Sequence, residues 1–139
     1  MCVIRFINED EICTVERFYQ ARNYGGGRVD PKDRILATWD GEEIVGVVRI
    51  SYEHGFACLR GMQVHPGYQR NGLGTKILYY LMPTLDLDRC YCLPYSHLVR
   101  FYQQVGFNLT DRKSLPVELG HRLQSYIQRG LNIVPMVRD

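Results

Sequence analysis

Apolar and polar residues alternate over residues 3–7, the period of a strand with one buried face. The period then lengthens. Ile12, Val15, Phe18 and Tyr19 recur at helical spacing, behind Asn8 as an N-cap and Glu9, Asp10 and Glu11 in a first turn where carboxylates suit the helix dipole. Tyr24-Gly25-Gly26-Gly27 is expected to end that helix, either as a plain linker or as a loop that moves over a cleft. Residues 35–39 and 44–52 predict two strands joined around Asp40-Gly41, and Glu53-His54-Gly55 turns the chain into a third, residues 56–64. Three consecutive antiparallel strands make a meander, which argues against a doubly wound dinucleotide-binding arrangement.

The third of these strands changes register. Ala57 and Leu59 are apolar at odd positions, Met62 and Val64 at even ones, and strict alternation cannot put all four on one face. Gly61 sits at the break, where an extra residue would form a β-bulge. After it comes a helix from Gly72, with the stripe Ile77, Leu78, Leu81 and Met82, ended by Pro83. Residues 89–93 predict a short strand. Ser96 is a candidate N-cap for a helix whose stripe is Leu98, Phe101, Tyr102 and Val105, stopped by Gly106. A strand over 107–110 follows, then a helix over 116–129 with Leu119, Leu123, Tyr126 and Ile127 on one face. Residues 133–137 read as a last strand, which Pro135 would place at an edge or a bulge.

The chemistry concentrates between the third strand and the helix after it. Gln69-Arg70-Asn71-Gly72-Leu73-Gly74 carries a strand into a helix start, whose first-turn N–H groups have no partner inside the helix and meet the positive end of its dipole. The two glycines let an anion approach the backbone, and Arg70 and Lys76 add mobile positive charge. The spacing is not that of a nucleotide-hydrolysing P-loop. It also lacks the third glycine of the dinucleotide fingerprint, because Ile77 follows Lys76. The loop resembles instead the acyl-CoA pyrophosphate loop of the GCN5-related N-acetyltransferases (GNAT family), Gln/Arg-x-x-Gly-x-Gly/Ala. Val64-His65-Pro66 is similar to that family's Val-x-Pro at the end of its fourth strand. Phe101-Tyr102-Gln103-Gln104-Val105-Gly106-Phe107 is similar to its Phe-Tyr-x-x-x-Gly-Phe. The motifs stand in the family's order and separation, and the resemblance covers about residues 44–107.

The resemblance implies an α/β fold, with a mixed, mostly antiparallel central sheet of about six to seven strands flanked by helices. The bulge at the fourth strand splays it from the next. Length by itself argues for one domain over residues 1–139, since 139 residues suffice for a sizeable core. The implied activity is acetyl-CoA-dependent N-acetyltransfer to a primary amine of a small molecule or peptide, by direct attack in a ternary complex. Pantetheine would bond the backbone of Met62, Gln63 and Val64 like a missing strand. The pyrophosphate would lie on Gln69, Arg70, Asn71, Gly72, Leu73, Gly74 and Thr75. Tyr102 aligns with the family's tyrosine acid, although a core tyrosine would fit the same apolar stripe.

The general base stays open. Cys58 and Arg60 share the face that in the family meets the acceptor, and neither is a good base. Glu53 and His54 lie at a turn tip, which usually faces solvent. Tyr95 stands where the family often has an asparagine, and a water wired to Tyr95 or to backbone carbonyls is a further route. Arg60 would either bind a carboxylate on the acceptor or pair with Glu53 or Asp88. The missing base leaves a second reading, a catalytically weak acyl-CoA-binding regulatory module of the same fold. The helix between the last two strands departs from the plainest family pattern; it would cover the cleft or form a subunit contact, hence a homodimer.

Composition narrows the partners. A formal charge of +2 is too small to argue for nucleic acid or a membrane surface. No apolar run approaches the ~18 residues of a spanning helix, and the first residues lack a secretory pattern, so the cytoplasm is the expected compartment. The five cysteines are odd in number and irregular in spacing, and Cys90-Tyr91-Cys92 has no second pair to complete a zinc site. They read as small buried hydrophobes, with no metal expected.

Overall fold

The period-2 stretches form one sheet of seven strands, ordered β1-β2-β3-β4-β5-β7-β6, in a computed structural model that describes residues 2–25, 29–85 and 89–139. β1 (Cys2–Phe6) pairs antiparallel with β2 (Arg34–Asp40), and β2 with β3 (Glu43–Glu53). β4 (Phe56–Val64) follows a turn in which His54 and Gly55 both take positive φ, 50° and 81°, the primed hairpin geometry that matches strand twist. The last strands are short: β5 (Cys90–Cys92), β6 (Asn108–Leu109) and β7 (Met136–Arg138), with β7 antiparallel to both β5 and β6. The helices are α1 (Ile12–Ala21), α2 (Leu73–Leu81), α3 (Val99–Gln103) and α4 (Val117–Gln128). The fold is therefore mixed α/β with a mostly antiparallel sheet, as the sequence implied.

Two compact units make up the chain, Met1–Ser51 with Leu59–Thr84, and Tyr52–Cys58 with Leu85–Asp139. In the first unit, α1 packs Val15, Phe18 and Tyr19 with Ile35, Ala37 and Trp39, the odd positions of β2, and with Val47 of β3. The even positions face α2. A Cβ on Gly46, which lies opposite Thr38, would stand only 2.9 Å from Ile77 Cδ1. Both faces of the β2–β3 ladder are thus covered, which is why residues 35–39 read as a nearly continuous apolar run. In the second unit, α4 lays Leu119 and Leu123 into a cluster with Cys58, Tyr91 and Leu115.

Several boundaries differ from the sequence reading, each for a local reason. A 3-10 turn, Glu9–Glu11, precedes α1, so Asn8 caps that turn. Its N–H donates to the Glu11 carboxylate at 2.8 Å. α1 stops at Ala21, before Tyr24, because Asn23 turns left-handed at φ 54° and the Tyr24 amide returns to the Tyr19 carbonyl. Of the glycines expected there, Gly26 and Gly27 lie outside the described residues. Gly72 is the N-cap of α2 and not its first residue. Tyr95, not Ser96, caps the 3-10 turn Ser96–Leu98 that leads into α3. Ile127 is exposed: at 100° per residue it stands about 80° round the helix from Leu119, whereas Tyr126 stays within about 20°. β7 lies inside the sheet and not at its edge. Pro135, lacking an N–H, falls just before the ladder, and Ile133 makes only an isolated bridge to Tyr95.

Candidate functional site

The first unit carries the glycine loop read as an anion site. Gly72 takes φ 74°, a Cβ there would meet nothing within 4 Å, and no side chain caps the helix it opens. The backbone ladder of α2 begins with Lys76 N–H on the Gly72 carbonyl at 3.0 Å, so Leu73, Gly74 and Thr75 precede it in the first turn. Arg70 also takes a left-handed φ of 70°, and Arg70, Asn71 and Lys76 are exposed. Gln69 is tied back to the strand end, its Nε2 donating to the Val64 carbonyl at 3.0 Å, while the His65 amide donates to Val45 O at 2.8 Å. Ahead of the loop, the Tyr68 hydroxyl donates to the Asp40 carboxylate. That hydrogen bond, with burial and the charge itself, pushes the Tyr68 pKa up to about 12. The arrangement is an open, uncapped helix start whose flanks are fastened to β2, β3 and β4. Its residues fit a phosphate-bearing ligand.

The strand leading into the loop has the predicted break. Gly61 takes φ +65°, a left-handed conformation that favours glycine, at the position where the apolar pattern changes register. Met62, Gln63 and Val64 beyond it are half-buried, so β4 is less covered here than at Ala57–Leu59. Arg60 is half-buried, and the Asp33 carboxylate feels its charge. Burial pushes the Asp33 carboxyl up, against the pull of Arg49 beside it.

The second unit carries Tyr102, 5% exposed on α3, with its ring edge-on to Phe101 at 5.0 Å and to Phe107 at 6.0 Å. Gly106, at φ +97°, turns the chain so that the Phe107 amide can return to the Tyr102 carbonyl. That turn is the physical content of the glycine in Phe-Tyr-x-x-x-Gly-Phe. Tyr95 is exposed and its ring stacks on His97. Cys58 is buried among Tyr91 and the α4 leucines. Glu53 forms an ion pair with Arg122 of α4, and His54 Nδ1 stands 3.5 Å from the Glu118 carboxylate. Asp88, the other partner considered for Arg60, lies outside the described residues. Among the described residues, no group of three or more His, Cys, Asp or Glu side chains is placed to hold a metal ion. No helix among them is long and apolar enough to cross a membrane.

The sequence profile of the Acetyltransferase (GNAT) family matches residues 4–107. The chain belongs to the GNAT family. A soybean (Glycine max) relative, named histone acetyltransferase TAP1, is 33% identical over 70 residues, 48% of this chain and 30% of the soybean protein. Among solved structures, Escherichia coli ElaA superposes with a TM-score of 0.71 at 14% identity over 100% of both chains. N-acetylglutamate synthase of Neisseria gonorrhoeae, complexed with coenzyme A and N-acetyl-glutamate, does so with 0.68 at 17% identity, over 99% of this chain and 35% of its own. The chain thus spans about a third of the length of the soybean and gonococcal proteins.

Sequence reasoning missed three groups in this GNAT chain. Arg49, inside an apolar strand, is 1% exposed and paired to Asp33 at 3.0 Å. Tyr19, read only as a core residue, donates its hydroxyl to the Gly61 carbonyl at 2.7 Å. Arg122 holds Glu53. A lone arginine in the run 44–50 was a readable signal; nothing local pointed to Asp33 or to the Tyr19 bond.

Proposed function

We propose that this chain is an acetyl-CoA-dependent N-acetyltransferase, moving an acetyl group to a primary amine of a small molecule or peptide with both substrates bound. One observation carries the reading: a single compact unit holds the uncapped helix start at Gly72 and the left-handed break at Gly61. Acyl-CoA has two matching parts, an anionic pyrophosphate and an amide-bearing arm. The helix start suits the first, through N–H groups and dipole. The interrupted strand Met62–Val64 suits the second, through strand-like hydrogen bonds. Family membership supports acetyl as the group transferred.

Two demands follow from the chemistry. The attacking nitrogen must be neutral, and with a free amine pKa near ~10.4 only about one molecule in a few thousand is neutral at pH 7, a cost of ~4–5 kcal/mol. The C–N bond forms at the thioester carbonyl carbon, the C–S bond breaks, and sulfur leaves with the electron pair. A thiolate with a pKa around ~8.5 needs modest help, which Tyr102 would supply as a hydrogen-bond donor. The amine proton passes to water in this reading, since Glu53 is engaged by Arg122 and Cys58 is buried in an apolar cluster.

The test is release of CoA thiol from acetyl-CoA across a panel of small and peptide primary amines, beside calorimetric CoA binding. Amine-dependent release supports the reading, and the soybean relative's name is a reason to include peptide amines. Tight CoA binding with no release by any amine would make the chain an acyl-CoA-binding module. No CoA binding at all would remove both.

A further inference from the structure

The first unit buries a charged pair for which neither the glycine loop nor Tyr102 has a use. Arg49 is 1% exposed and its Nη1 lies 3.0 Å from Asp33 Oδ2, with the Asp33 side chain 4% exposed. Buried ion pairs are weak contributors to stability, and apolar replacements often do as well. This pair does hold something. The Arg49 guanidinium lies 5.7 Å from the Tyr19 ring centroid, and the Tyr19 hydroxyl donates 2.7 Å to the Gly61 carbonyl. A Cβ on Gly61 would overlap Tyr19 Oη and stand 3.1 Å from Arg49 Nε. Asp33, Arg49, Tyr19 and the Gly61 peptide are therefore one packed series, closed around the break in β4.

We propose that Tyr19, backed by the Asp33–Arg49 pair, is a positioning residue that fixes the Gly61–Met62 peptide plane for an acyl-CoA arm. The reasoning is geometric and rests on the acyl-CoA reading above. The Gly61 C=O and the Met62 N–H belong to one rigid trans peptide and point in opposite directions. A donor from α1 that holds the carbonyl therefore also aims the amide. Met62 is the first of the half-buried residues beyond the break. Tyr19→Phe would remove the side-chain donor that holds this carbonyl, and a glycine, with no Cβ, resists a turn of the following peptide less than any other residue. Tyr19 touches neither the reacting atoms nor the phosphates; it acts through the backbone of β4.

Calorimetry on the full chain with two ligands tests this. CoA has the arm; 3′-phospho-ADP keeps the adenosine and both 5′-phosphates and lacks it. Tyr19→Phe should weaken CoA about tenfold, the scale of one well-placed hydrogen bond, and leave 3′-phospho-ADP within about twofold. Tyr24→Phe is the control. Its ring is 4.8 Å from Tyr19, so the change takes a hydroxyl from the same aromatic neighbourhood and leaves the Tyr19–Gly61 bond and the Asp33–Arg49 pair in place, and both affinities should stay within about twofold. Equal weakening of both ligands by Tyr19→Phe, or weakening of neither, overturns the proposal. Should Tyr19→Phe fail to fold, amide exchange in the unsubstituted chain decides. CoA must slow exchange at Met62 more than 3′-phospho-ADP does, and equal protection overturns the proposal. An unsubstituted chain that binds neither ligand defeats the acyl-CoA reading itself, which the other outcomes leave standing.

Discussion

In the first unit, the groups proposed to meet a ligand are peptide groups: the first-turn amides behind Gly72 and the strand beyond Gly61. In the second unit, the candidate is a side chain, the Tyr102 hydroxyl. The scaffolds differ accordingly. The first unit has the seven-residue β2 and most of the eleven-residue β3, with both faces covered, and left-handed glycines at the two places where its backbone is proposed to meet a ligand. Strands of three, two and three residues serve the second, whose core rests on the leucines of α4, and Tyr102 is held between Phe101 and Phe107 on a five-residue helix. Presenting backbone requires a long, rigid ladder and the right φ, because the peptide cannot be aimed by rotamer choice. Presenting a hydroxyl requires one locked ring, which a short helix and a turn can provide.

The comparison breaks most sharply at Gly72. Gly72→Asp should lower CoA affinity on the order of 10³-fold, the scale of a like-charge contact at ~4 Å in a partly screened site. Gly72→Ala should retain binding, because its Cβ meets open space and costs only the left-handed strain of ~1–2 kcal/mol. Calorimetry on both variants checks this; a folded Asp variant that binds like the parent would refute the loop as the anion site. Tyr102→Phe should do the reverse and leave CoA affinity alone. Turnover should fall by ~10²-fold, and the high-pH limb of the rate profile should disappear if proton donation carries the effect. Full turnover on the true acceptor would return Tyr102 to the core.

Smaller effects sharpen the same contrast. Leu119 is fully buried in the second unit, so Leu119→Ala should cost ~2–5 kcal/mol by urea denaturation. A loss under ~1 kcal/mol would show that α4 does not hold that core. The smallest effect belongs to the first unit. Hydrogen bonds from Arg5, then from the Asn8 amide, hold the Glu11 carboxyl at about 2. An unfolded glutamate titrates near ~4.3, so as pH falls the unfolded chain takes up this proton first. The stabilisation is complete above about pH 5 and drains away toward pH 2. The melting temperature of the parent should exceed that of Glu11→Gln by a constant margin above that window, with the margin vanishing at its acid end. A margin independent of pH would contradict the assignment.

What could be read along the chain was what acts within a few residues. Alternation marked the β2–β3–β4 meander, the register change marked the left-handed Gly61 in β4, and the glycine spacing marked the start of α2, because strand period, φ and helix caps are local. The Phe-Tyr-x-x-x-Gly-Phe motif located Tyr102 for the same reason, as a helix closed by a left-handed glycine. Folding in three dimensions decided the rest. It set β7 between β5 and β6, buried Cys58 beneath α4 and gave Glu53 to Arg122, a partner 69 residues away in sequence. It also joined Arg49 to Asp33 across 16 residues and the Tyr19 hydroxyl to Gly61 across 42. An arginine in an apolar strand states only that a counter-charge is needed. Which carboxylate answers, and which carbonyl a buried tyrosine finds, depends on how α1 comes to lie across the sheet, and no local period encodes that.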